Sequence, residues 1–183
     1  MNLILFGFQG VGKTHFGKRL AESLHRPLVD TDDILCELYA IEKGERLATR
    51  DIYLLMGENG FRTLETQALA TLLPIENAVI SVGGGAVLDP GNVQLLQKIG
   101  QLIYLEASFE TLKKRALNKS KPAAFVEQKD PIASLHDTYL QRKIIYESLP
   151  ARRIQVDCLD EAEVLAALQS IACLEEPPKN LSQ

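Results

Sequence analysis

The stretch Leu3-Ile-Leu-Phe-Gly-Phe-Gln-Gly-Val-Gly-Lys-Thr14 constrains this chain more than any other. Leu3 to Phe6 is a short apolar run without alternation, the pattern of a buried parallel strand. It leads directly into Gly7-x-x-x-x-Gly12-Lys13-Thr14, a complete nucleoside-triphosphate P-loop. Glycines let the backbone turn several N–H groups toward one anion, and a lysine here reaches the outer phosphates. The threonine hydroxyl suits Mg²⁺, and the following helix aims its positive end at the same charge. A chance glycine turn between strand and helix would not need all of these types at this spacing. The pattern predicts nucleotide binding, with Gly10, Val11, Gly12, Lys13, Thr14 and His15 as the nucleotide-binding residues.

The chain has 183 residues, 46% hydrophobic and 24% charged, enough for one domain with a full core. Its net charge of −4 argues against a nucleic-acid backbone as partner, although solubility alone accounts for that charge. Cys36, Cys158 and Cys173 are an odd set without a C-x-x-C pair, which suits free thiols in a cytoplasm. The three histidines lack metal-ligand spacing. No basic leader and no long apolar span is visible, so a soluble cytoplasmic protein without membrane or nucleic-acid partner is expected. The expected organisation is one domain over 1–174 and a flexible tail over 175–183.

Phe16, Leu20 and Leu24 put one apolar stripe on the helix after the P-loop, which must end before Pro27. Pro27 to Asp30 reads as a strand opening into Asp30-Thr-Asp-Asp33. Two short helices joined around Lys43-Gly44-Glu45 are predicted between Ile34 and Met56, with Ile34, Leu35, Leu38, Ile52 and Leu55 as their apolar positions. Gly57 to Gly60 reads as a turn, and Phe61 to Leu73 as a helix. Strands follow at Ala78–Val82, Leu102–Leu105 and Arg153–Asp157. Helices are predicted at Pro90–Lys98, 108–117, Ile132–Leu149 and Glu161–Cys173, and a loop at Asn118–Lys129. Strands alternating with helices predict an α/β fold, a five-stranded parallel sheet with helices on both faces. Ligands gather at the carboxyl ends of such strands.

Three stretches fall at those ends. Asp30 and Asp32 follow the second strand and are expected beside the P-loop. One carboxylate near a metal and one near the acceptor would serve phosphoryl transfer, while an Asx turn with a helix cap is the structural alternative. Asp33 is assigned to that cap. Gly83-Gly84-Gly85 offers a bare backbone whose N–H groups can approach a ligand, or else simply a tight turn. Arg62 has Glu65 three positions on as an intrahelical partner, and Arg142 lies within a helix. Each alone reads as a solvated arginine; together they suit an anionic acceptor through forked hydrogen bonds. Lys114, Arg115, Lys119 and Lys121 make a basic segment, either a solvated surface or a lid over phosphates.

In this order, Asp30-Thr-Asp32, Gly57-Glu58-x-x-Phe61-Arg62-x-x-Glu65, Ser81-Val-Gly-Gly-Gly85, a basic lid and Arg142-x-x-x-Tyr146 resemble shikimate kinases over residues 1–173. The resemblance implies a P-loop fold of the nucleoside-monophosphate-kinase type, with a substrate-binding subdomain at about 33–61 and a lid at about 116–130. It implies ATP- and Mg²⁺-dependent phosphorylation of the 3-hydroxyl of shikimate, a step toward chorismate and the aromatic amino acids, by a monomer. It further implies Asp32, Lys13 and Lys121 as catalytic groups, and Thr14 and Asp30 at the metal. Asp32, Arg62, Gly83, Gly84, Gly85 and Arg142 would hold shikimate, and Arg115 would pack near adenine.

Two departures stand out. Lys121-Pro122-Ala123 replaces the family's Arg-Pro-Leu, keeping charge but losing the planar fork. The stretch from Asp32 to Arg62 is several residues longer than in typical members, around Ile41 to Arg50. Other kinases of this fold, acting on gluconate or nucleotides, share the P-loop and a lid, but the triple glycine and Phe61-Arg62-x-x-Glu65 are not expected in them. A nucleotide-binding pseudoenzyme is the reading from another class, and the intact Lys13, Thr14, Asp30, Asp32, Arg62 and Arg142 argue against it.

Overall fold

The short runs flanked by turns form the strands of one sheet, buried at its centre and more exposed at its two edges. The computed structural model, which describes residues 1–118 and 130–174, assembles them as β1 (Asn2–Phe6), β2 (Leu28–Asp30), β3 (Val79–Ser81), β4 (Gly100–Glu106) and β5 (Arg152–Gln155). All neighbours pair in parallel, in the order β2-β3-β1-β4-β5. Central β1 pairs Ile4 with Ile80 on one side and Leu102 on the other.

The helices are α1 (Lys13–Leu24), α2 (Thr31–Lys43), α3 (Thr49–Ala70), α4 (Pro90–Ile99), α5 (Phe109–Leu117), α6 (Pro131–Ser148) and α7 (Glu161–Cys173). Alternation along β1 sends Leu3 and Leu5 to one face and Ile4 and Phe6 to the other, and all four are fully buried. On the Leu5 face lies α1, whose Gly17 fits close against Leu5, Leu28 and Val79. On the other face Phe6 stacks on Tyr104 at 5.3 Å and meets Tyr146 of α6 edge-on at 5.7 Å. Each such buried side chain contributes about 1.5–3 kcal/mol. Asn2, outside the predicted strand, closes the far end of the sheet: its amide donates to Ile75 and Ile99 carbonyls and accepts from the Ala78 N–H.

Helices α2 and α3 bury a smaller cluster of their own, with Leu35, Tyr39, Ile52, Phe61 and Leu64 at its centre. As predicted, Gly44 ends α2 in the left-handed region, at φ 75°. Leu55, predicted apolar and inward, is instead exposed on the outer side of α3. The turn expected at Gly57–Gly60 is a single-residue kink: α3 runs through it, and only Gly57 leaves helical geometry, at φ 67° and ψ 177°. The kink lets Tyr53 before it and Phe61, Arg62 and Glu65 after it line one cleft.

No atom lies within 4 Å of where a Cβ on Gly57 would stand, so a side chain there costs only backbone strain. Gly57→Ala is therefore expected to destabilise the fold by about 1–3 kcal/mol. Urea unfolding checks this, and an unchanged midpoint would mean that the kink is not maintained in solution.

Candidate active site

The carboxyl ends of β1, β2 and β3 open into one cleft of about 500 Å³. Asp30 and Asp32 lie beside the P-loop at the strand ends, as expected, although β3 stands between β2 and β1 in the sheet. The Thr14 hydroxyl at the start of α1 donates to Asp30 Oδ2 at 2.8 Å.

On the P-loop, Gly10 and Gly12 adopt φ 86° and 111°, and Gly12 precedes α1 without any side-chain cap. The first N–H groups of α1 are therefore left for a ligand, the arrangement that accepts phosphate. Lys13 Nζ lies over the loop, 3.0 Å from the Gly7 carbonyl and 3.3 Å from that of Phe8. Arg115 donates to the carbonyls of Gly10 (3.0 Å) and Val11 (2.8 Å), bracing the loop from α5. His15 meets Glu161 at 2.9 Å, and the same carboxylate pairs with Arg19, tying α1 to α7 at the cleft rim.

Asp30 takes the cap role that the sequence assigned to Asp33: its Oδ1 accepts from the Asp32 N–H at 3.1 Å. Helix α2 thus starts at Thr31, earlier than predicted, and Asp32 stands in its first turn. The Asp32 carboxyl faces the water of the cleft but is ringed by protein, and this desolvation raises its pKa. The neighbouring charge of Asp30 adds to the rise, and Lys13 opposes it.

Across Gly83 from Asp32 stands Glu65, only 5% exposed, whose pKa burial also raises, against the pull of Arg62. Glu65 Oε2 accepts from Arg62 Nη1 at 2.7 Å, the predicted intrahelical pair, and holds the guanidinium against Gly85, where a Cβ would collide with it. Arg142 is not the solvated residue that its position alone suggested. It is 8% exposed, with its guanidinium 5.8 Å from the Phe8 ring centre and close to Gly84.

The triple glycine lines the cleft and makes a turn, with one of its N–H groups already engaged. The Gly83 N–H is taken by the Thr31 hydroxyl at 3.1 Å, and Tyr146 donates to the Gly84 carbonyl. A Cβ on Gly84 would stand 3.1 Å from the Gly7 carbonyl, so close approach to the P-loop requires glycine there. Gln9, Thr49, Arg50, Tyr53, Phe61, Glu65, Ser81 and Val82 complete the lining and were not singled out as site residues from sequence. Glu65 and Phe61 lay within the Gly57–Glu65 motif, a signal that could have found them. Lys121, most of the expected lid at 116–130, and the expected tail at 175–183 lie outside the described residues.

The oxygens of Thr14 and Asp30 fit a hard cation such as Mg²⁺, which commonly takes one or two carboxylates and completes its shell with phosphates and water. Among the described residues no three His, Cys, Asp or Glu converge as a protein-only metal cage.

A phosphate-binding loop that opens onto a carboxylate and two guanidiniums defines a P-loop small-molecule kinase. The family model for shikimate kinase matches residues 9–172. The chain belongs to the shikimate kinase family. It is 36% identical to the shikimate kinase of Symbiobacterium thermophilum, over 92% of this chain and 94% of that one. It is 33% identical to that of Syntrophus aciditrophicus, over 90% and 87%. Among solved structures, the Acinetobacter baumannii shikimate kinase in complex with shikimate superposes with a TM-score of 0.81 at 28% identity, covering 96% of this chain and 95% of that one. The Bacteroides thetaiotaomicron enzyme gives 0.77 at 25%, covering 95% and 97%.

Proposed function

We propose that this chain transfers the terminal phosphoryl group of ATP to the 3-hydroxyl of shikimate, a step toward chorismate. The observation that carries this reading is the meeting of Asp32, Arg62 and Arg142 around one glycine turn, in the cleft into which the P-loop opens. Asp32 accepts the hydrogen bond of the attacking hydroxyl and orients it, then takes its proton as the new bond forms. Arg62 and Arg142 hold the shikimate carboxylate with forked donors, and the backbone at Gly83–Gly85 lines the same wall. Lys13 and the uncapped start of α1 neutralise the phosphates, and Arg115 keeps the loop in shape for them. Mg²⁺ held by Thr14 and Asp30 would offset charge on the transferring group. Lys121 keeps its catalytic assignment from sequence alone.

The pair α2–α3 is the substrate-binding subdomain in this reading, consistent with its separate hydrophobic cluster and its Tyr53, Arg62 and Glu65 in the cleft. We place the enzyme in the cytoplasm as a monomer; Cys36, Cys158 and Cys173 are free thiols, which suit a reducing compartment. No helix among the described residues is long and apolar enough to cross a membrane.

The test is ADP release from ATP and Mg²⁺ with shikimate, gluconate and a nucleoside monophosphate offered separately. Turnover with shikimate alone is the expected result. Turnover with either other acceptor in its place would overturn the assignment, as would ATP binding without turnover on any of them.

A further inference from the structure

Tyr146 is the largest fully buried side chain of the described residues, 1% exposed, and the functional reading leaves it without a task. Its ring stands edge-on to Phe6 at 5.7 Å and to Tyr104 at 5.4 Å, so the aromatic wall of the core fixes where the hydroxyl points. That hydroxyl points out of the core and into the floor of the cleft. It donates to the Gly84 carbonyl at 2.5 Å, and Arg142, one helical turn earlier on α6, reaches the same glycine: a Cβ on Gly84 would stand 3.6 Å from Arg142 Nη1. A guanidinium has only donors, so the phenol oxygen, whose proton goes to the Gly84 carbonyl, is the atom of this pair able to accept from Arg142.

This relay joins two parts of the acceptor site that lie 58 residues apart in sequence and on different elements. We propose that Tyr146 is a positioning residue for the acceptor: its hydroxyl locks the Gly84 peptide and the Arg142 guanidinium into one mutual register, so that the glycine turn and the carboxylate-binding arginine present a single preformed surface. The inference rests on the reading of Arg142 and Gly83–Gly85 as the shikimate-binding wall.

Three features make the hydroxyl, rather than the ring, the acting group. The Gly84 carbonyl accepts from it, and a Cβ on Gly84 would stand 3.4 Å from the phenol oxygen, so the hydroxyl packs directly against the glycine turn. Burial pushes the phenol up to about 12, although Arg142 pulls the other way, so it stays a donor through the neutral range. Removing it takes a hydrogen bond from the half-buried Gly84 carbonyl while the packing volume is kept.

The test is Tyr146→Phe, compared with Tyr139→Phe. Tyr139 is also on α6 and also buried, and it donates to a backbone carbonyl, that of Ala107, outside the cleft. Both variants lose one buried hydroxyl, so both report the stability cost of such a loss. Only Tyr146→Phe is expected to raise the KM for shikimate, by about tenfold, with the KM for ATP unchanged and kcat altered less than KM. A Tyr146→Phe enzyme whose shikimate KM equals that of Tyr139→Phe would overturn the proposal and leave the tyrosine a core residue. Arg142→Ala separates this failure from that of the underlying reading. If Arg142→Ala raises the shikimate KM and Tyr146→Phe does not, the relay alone is wrong. If neither does, the acceptor wall itself is misplaced and both fall.

Discussion

An Asp32→Asn enzyme is expected to turn over shikimate about 10²- to 10⁴-fold more slowly than its parent while binding ATP equally well. The amide keeps the size of the carboxyl and its place in the first turn of α2, but it cannot take the proton of the attacking hydroxyl. The same substitution is expected to stabilise the fold at neutral pH. Desolvation first, and then the charge of Asp30, hold the Asp32 pKa above its ordinary value in the native state, with Lys13 only partly offsetting them. A group whose native pKa is raised supports folding fully below its unfolded pKa and loses that support as pH rises through the native value.

Asparagine has no such loss. The Asn variant should therefore match the parent in acid, below the ordinary aspartate pKa of about 3.9, and become relatively more stable as pH climbs past the native pKa. Thermal melts across that interval, read beside kcat, check both halves. Unchanged turnover would remove the role of Asp32, and an Asn variant less stable than the parent at neutral pH would contradict the strain assigned to its charge. In the parent, the acidic limb of kcat/KM should likewise fall above the ordinary aspartate range, since the base form is needed.

Arg142→Ala should raise the KM for shikimate by about 100-fold and leave the KM for ATP near its starting value. The reason is burial. A guanidinium that is 8% exposed, seated between the Phe8 ring and Gly84, meets an anion with little competing water. Arg142→Lys should fall between, because it keeps the charge and loses the planar fork. A shikimate KM that does not move in Arg142→Ala would refute the carboxylate clamp. The melting temperature must be followed in parallel, since the arginine also packs against Phe8 and its loss removes that contact.

What could be read from the chain was whatever depends on near neighbours. The P-loop, the three strand ends with their polar or glycine exits, the stop at Gly44 and the pair Arg62–Glu65 are each set by residues within a few positions of one another, and each is found where the pattern puts it. The Gly57 segment shows the edge of that legibility. Two nearby glycines read as a turn, yet the packing of Ile52 and Phe61 into one cluster keeps the chain helical on both sides, so the segment bends at one residue. Asp33 lost the cap to Asp30 for a similar reason: the Thr14 hydroxyl and the Asp32 N–H both bind Asp30, and that sets where α2 begins.

By itself, then, the sequence determined a parallel α/β kinase fold and the residue types at its active edge, because hydrophobic period and turn chemistry are local. Only the tertiary structure decided that β3 lies between β2 and β1, that Arg142 is buried beside Gly84, that Thr31 occupies the Gly83 N–H, and that Tyr146 donates to the glycine turn at Gly84. Those facts depend on which strands pair and which helix crosses which face. Such choices are made by burial of apolar surface between segments far apart in the chain, and no short stretch of sequence carries that information.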